Sequence, residues 1–129
     1  LEFLPMYENQ PLFMDVAKFL YDRGFIMHRF ETLYSRTLKP VDPYTGLNQL
    51  LWGDGIFIRD ITKLATMSNE QLLKLSVILH ECFRGYDVVL HVLKEHDRRA
   101  QTAYAEVYWQ AILAAGPHIV YDHRRLRAQ

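Results

Sequence analysis

The sequence predicts an α/β fold, a small sheet followed by a set of helices, from three observations. The run Leu50-Leu51-Trp52-Gly53-Asp54-Gly55-Ile56-Phe57-Ile58-Arg59-Asp60 is apolar, rich in large and β-branched residues, and broken by one acid between two glycines. That is the composition of a strand buried on both faces. Two earlier apolar stretches, Leu1 to Met6 and Phe25 to Tyr34, are the neighbours such a strand requires. After Asp60 the apolar residues recur at spacings of three and four, the period of helices. The predicted order is β-α-β-β with the last strand antiparallel, then an α-helical extension, with the division between residues 1–62 and 63–129.

Leu1 to Met6 reads as the end of a strand, and Tyr7-Glu8-Asn9-Gln10-Pro11 as the loop leaving it. Pro11 suits a first helical turn, with Asn9 or Gln10 as cap. The helix then runs to Asp22, with Leu12, Phe13, Val16, Phe19 and Leu20 on one face and Gly24 as a left-handed terminator. Phe25 to Tyr34 completes a β-α-β unit, whose crossover is right-handed if its two strands are parallel. Thr37 to Gln49, with Pro40, Pro43 and Gly46, is a loop too short for a helix, so Leu50–Arg59 returns antiparallel to Phe25–Tyr34.

Beyond Asp60, Ser68 and Gln71 form a capping box for a helix whose stripe is Leu72, Leu75, Leu79, Cys82 and Phe83, closed by Gly85. A shorter helix with Asp87 in its first turn buries Tyr86, Val89, Leu90 and Leu93. A third opens at Asp97 and runs to Gly116-Pro117, where Ala100, Ala103 and Ala111 allow close packing.

Lys and Arg total 15 against 15 Asp and Glu, so no long-range field favours nucleic acid or an anionic membrane as partner. The basic end (His123, Arg124, Arg125, Arg127) is short enough for a solvated tail. With Cys82 the single cysteine, no intramolecular disulfide forms, and a reducing, cytoplasmic location is expected. No stretch reaches the roughly 18 apolar residues that span a bilayer. The chain opens on Leu1 within a strand-like run, so the expectation is the back part of a longer protein.

Six histidines invite a metal hypothesis, through His91, His96, the His80-Glu81 pair and Asp87/His91 on one helical face. No two histidines stand three or four apart and there is no His-Glu-x-x-His, so ordinary surface or capping histidines and no metal site are expected. Cys82, on an apolar stripe, is expected in the core. Asp54 is a candidate catalytic carboxylate: inside an apolar strand it either faces a cleft or meets a partner such as Arg29 or Arg59. The loop Tyr7, Glu8, Asn9, Gln10 follows the carboxyl end of a strand, the edge at which open α/β sheets bind ligands. No glycine-rich nucleotide loop occurs in the chain.

Several of these stretches, taken in order, resemble one family. Glu2-Phe3-Leu4-Pro5-Met6-Tyr7-Glu8-Asn9-Gln10-Pro11-Leu12-Phe13, Phe19-Leu20, Arg23-Gly24-Phe25, Leu38-Lys39-Pro40 and Gln49 to Asp60 look like the carboxyl-terminal half of FkbM-type S-adenosylmethionine-dependent methyltransferases. The resemblance covers the first half of the chain. It implies the closing part of a Rossmann-like methyltransferase sheet, in which the last, antiparallel strand inserts between the two before it.

It further implies O-methylation of a sugar or natural-product hydroxyl, with S-adenosylmethionine as methyl donor in the intact parent enzyme. The donor's glycine-rich loop and ribose-binding acid lie in the absent amino-terminal half, so no cofactor-binding residue and no activity are expected of this piece alone. Glu8 and Asp54 are the carboxylates expected as catalytic base, and Tyr7, Asn9 and Gln10 line the acceptor side. The alternative is a non-enzymatic interaction or dimerisation module, pairing as a homodimer through an exposed sheet edge or the helical extension.

Overall fold

The computed structural model describes residues 1–42 and 49–116. They divide into two compact units, one ending at Thr62 and one beginning at Lys63. Pro43 and Gly46 of the predicted loop, and the basic stretch from His123 to Arg127, lie outside the described residues.

In the first unit, helix α1 (Phe13–Tyr21) precedes strands β1 (Phe25–Arg36) and β2 (Gln49–Arg59), which pair antiparallel as predicted. The fold is thus mixed α and β around a two-stranded sheet. Leu1 to Met6 is not a full strand. It makes a single antiparallel bridge, Glu2 to Trp52, with Phe3 N donating to Leu51 O (2.8 Å) and Gly53 N to Leu1 O (2.8 Å). Pro5 carries no N–H to continue such a ladder, and the chain bends away at Phe3 and Leu4. β2 is consequently antiparallel to both of its neighbours and lies between them.

α1 starts two residues later than expected, and neither Asn9 nor Gln10 caps it. Leu12 is the cap residue, and the Asp15 carboxylate reaches back to accept from Leu12 N at 2.9 Å. Gly24 does end this segment with a left-handed backbone, φ 83°. The helix lies on the sheet through three rings: Phe3, Phe13 and Phe30 sit 5.2 to 5.7 Å apart. No residue of α1 is fully buried.

β2 is not buried on both faces. Only Gly53 and Ile58 along it are buried, and Asp54 is exposed. A two-stranded ribbon with one helix laid on it is thinly covered, and of the three residues Asp54, Ile56 and Ile58 on one face only Ile58 is buried, so apolar composition overstated the depth of this strand. The two glycines lie on the face opposite Asp54, where the sheet is closely approached. A Cβ on Gly53 would lie 2.7 Å from Thr32 O, and one on Gly55 would lie 2.7 Å from Leu1 Cδ1. Cross-strand pairing slips at His28 and Glu31 in β1 and near Leu51 in β2, where one strand carries an extra residue.

The second unit begins within a 3₁₀ segment (Ile61–Thr66) and continues through α2 (Asn69–Phe83), α3 (Tyr86–Ala100) and α4 (Tyr104–Ala115). The capping box is present in both directions: Gln71 N donates to Ser68 Oγ (3.2 Å) and Ser68 N to Gln71 Oε1 (2.9 Å). Ser68→Ala is expected to lower the stability of this unit by about 1 kcal/mol, read from urea unfolding followed by circular dichroism. An unchanged midpoint would mean that the cap is replaced by water without loss.

Leu72 and Leu79 of α2 and Val89 and Val92 of α3 are essentially inaccessible to solvent and form the core, each leucine contributing roughly 2 kcal/mol. Cys82 is exposed, contrary to expectation, because the buried stripe runs through Leu72, Leu75, Ser76 and Leu79. Arg84, not Gly85, takes the left-handed conformation that ends α2 (φ 52°). α3 is longer than expected. It continues through Asp97 to Ala100, since the Glu95, Arg98 and Arg99 side chains bridge across its last turns. Arg99 also donates to Leu64 O (2.7 Å) and Met67 O (2.5 Å), tying down the carbonyls that close the 3₁₀ segment.

Candidate functional site

The sequence-predicted site residues of the first unit occupy two places. Tyr7, Glu8 and Asn9 form a turn before α1, in which Asn9 adopts the left-handed region (φ 58°), open to asparagine at modest cost. Gln10 N donates to Tyr7 O at 3.4 Å, closing the turn. Tyr7 is 70% exposed and Glu8 is exposed without a hydrogen bond or ion pair among the described residues, so both are available to a ligand. Gln10 is different: its Oε1 is buried and accepts no hydrogen bond among the described residues.

Asp54 is exposed on the face of the ribbon away from the two glycines, opposite Thr32, whose hydroxyl donates to Asp54 Oδ2 at 2.6 Å. Neither arginine expected as its partner meets it. Arg29 holds Glu31 (2.7 Å), and Arg59 donates to Arg23 O and lies over the Phe25 ring at 5.2 Å. Because Asp54 is exposed, no buried charge has to be neutralised. The neighbouring cross-strand pair, Tyr34 and Trp52, is stacked at 5.0 Å with 22° between the rings. Residues two apart on a strand share a face, so a carboxylate with a hydroxyl and a pair of aromatic rings stand side by side.

No hydrogen bond or ion pair joins Asp54 to Glu8 or to the rest of the Tyr7–Gln10 turn. Thr32 and Tyr34 were not singled out in the sequence: only the strand register puts them across from Asp54 and Trp52. Among the described residues two further buried atoms have no partner, Glu2 Oε2 and His28 Nε2. Such an orphan costs about 1–3 kcal/mol until a donor or acceptor reaches it. His28 is the extra residue of a bulge, which turns its ring out of the regular alternation.

Compared with protein families, with curated proteins and with solved structures, the chain finds no match in any of the three.

The polar groups of the second unit are knitted together internally. His80 Nδ1 and the Tyr108 hydroxyl lie 3.0 Å apart, and the Tyr108 hydroxyl is pushed up to about 12, chiefly by burial and then by Tyr86 and Asp87. His96 is buried, stacked on Tyr104 with 13° between the rings. Asp97 accepts from Thr102 Oγ1 and from Ala105 N (2.7 Å), so it caps α4 from inside α3. Among the described residues no three His, Cys, Asp or Glu side chains are grouped to hold a metal ion, and no helix is long and apolar enough to cross a membrane.

Proposed function

We propose that this chain is the closing part of an O-methyltransferase of the FkbM type, and that the open face of the ribbon receives a hydroxyl-bearing acceptor such as a sugar. The observation that carries the reading is the position of β2, antiparallel to the Leu1–Phe3 segment on one side and to β1 on the other. The motif resemblance across residues 2–60 supports the same arrangement.

The residues in hand do not suit the methyl donor itself. The turn entering α1 carries no glycine, and its buried free atom is an acceptor, Gln10 Oε1. Under this reading the donor is held by chain outside these residues, and no step is assigned to it here. The contribution of this chain is to hold the acceptor and take its proton. Sugar rings lay their C–H faces on aromatic surface, which Tyr34 and Trp52 offer beside Asp54. Glu8 and Asp54 are the groups for general-base work, Glu8 with both oxygens free and Asp54 with one engaged by Thr32.

The test starts from the encoding reading frame. If a glycine-rich strand-loop-helix lies upstream, the full-length product should bind S-adenosylmethionine in calorimetry. Glu8→Gln or Asp54→Asn should then lower turnover by about 100-fold or more while leaving donor affinity unchanged. A frame without such a segment, or full activity in both variants, defeats the reading.

A second reading, a module that dimerises without catalysis, is favoured by one observation. The groove between α1 and the sheet, about 460 Å³, is lined by Met14, Ala17, Tyr21, Phe25, Met27 and Phe57, and Met14 is 75% exposed. A second copy covering that groove would give a dimer in light scattering. A monomer at all concentrations removes this reading.

A further inference from the structure

We propose that the cleft between α3 and α4 binds a free α-amino acid with an apolar side chain. The cleft measures about 640 Å³, within the range of small-molecule sites, and lies wholly in the helical unit. Lys94 of α3 and Glu106 of α4 both line it, yet no ion pair forms between them or between Lys94 and Asp97 among the described residues. Asp97 is already occupied by Thr102 and Ala105 N, and so forms a fixed wall. Glu106 accepts one hydrogen bond, from Gln110 Nε2 at 2.8 Å, which leaves an oxygen open.

Two opposite charges that line one cleft without meeting are complementary to a dipolar ligand. The carboxylate of an amino acid answers Lys94 and its ammonium answers Glu106, whereas a simple anion or cation leaves one of the two unanswered. The remaining wall is apolar. Leu90 stands one turn before Lys94 on α3, and Trp109 stands one turn after Glu106 on α4. Trp109 has no ring partner and its indole N–H has no acceptor among the described residues, so its ring is available to an aliphatic side chain.

Heteronuclear NMR of the full chain titrated with L-leucine tests this, with the indole N–H resonance of Trp109 assigned through Trp109→Phe and that of Trp52 as internal reference. Millimolar L-leucine should displace the Trp109 resonance saturably and leave Trp52 in place. Lys94→Gln and Glu106→Gln, both at exposed positions whose folding the amide spectrum verifies, should each weaken binding about tenfold. L-leucinamide and N-acetyl-L-leucine, which lack the carboxylate and the ammonium respectively, should weaken it similarly. An unmoved Trp109 resonance, or either derivative binding as well as leucine, overturns the proposal.

Discussion

Gly53→Val is expected to destabilise the sheet unit by about 3 kcal/mol, the upper end of ordinary overpacking costs. Any Cβ at this position meets the Thr32 carbonyl oxygen at 2.7 Å and Leu33 Cδ2 at 2.8 Å. The first of these is backbone of the paired strand, and it withdraws only by opening the ladder. Gly55 is equally crowded, but there the obstacles are Leu1 Cδ1 at 2.7 Å and Met27 Cε at 2.9 Å, the far ends of flexible side chains. Gly55→Ala should therefore cost only about 1 kcal/mol. Urea unfolding read from Trp52 emission in a Trp109→Phe background separates the two. Equal costs at both positions would show that the carbonyl contact does not govern the strand spacing.

Asp97→Ala should cost the helical unit about 3 kcal/mol, since it removes the Thr102 and Ala105 hydrogen bonds together and leaves α4 uncapped. The same carboxylate makes stability depend on pH. Burial raises its pKa, but the Thr102 hydroxyl, the N–H groups of Ala105 and Tyr104, and His96 outweigh this and hold it below its ordinary value of 3.8. A carboxylate depressed in the folded state contributes fully above its unfolded pKa, and the contribution fades as protons bind. Glu95 behaves alike: hydrogen bonds from Arg98 and then Arg99 lower it from 4.5 to about 2. The helical unit should thus lose stability as the pH falls from about 5 towards 2. In Asp97→Ala that loss should shrink to the part owed to Glu95. Urea midpoints measured across this range for both proteins give the answer, and parallel curves would exclude Asp97 as a source of the dependence.

The local signals of the sequence held where a side chain acts on its own backbone. Ser68 with Gln71 set the start of α2, Gly24 closed the segment after α1, and the antiparallel return of β2 followed from a loop too short for a crossover helix. They failed where the deciding partner is distant in sequence. Asp97 looked like the start of a helix because it is a cap, but the helix it caps begins at Tyr104 while Asp97 itself lies within α3. Cys82 shares the spacing of a buried stripe, yet burial depends on where neighbouring helices lie. The Asp54 partner was sought among the arginines on charge alone, and the register supplied Thr32. The turn from Tyr7 to Gln10 was visible from composition, whereas the unmet acceptor on Gln10 is a property of packing alone.

The irregular pairing of the ribbon has a consequence for solubility. A strand as long as β1, Phe25–Arg36, would ordinarily offer a continuous rail of amide and carbonyl groups on which further chains could add and grow into fibrils. Its extra residues at His28 and Glu31, with a third slip beside Tyr34, divide that rail into segments of two or three residues in register. Each slip also adds right-handed twist, so an incoming strand that matches one segment is out of step with the next. The features that bury His28 Nε2 and set Thr32 opposite Asp54 therefore also make this edge a poor template for a further strand.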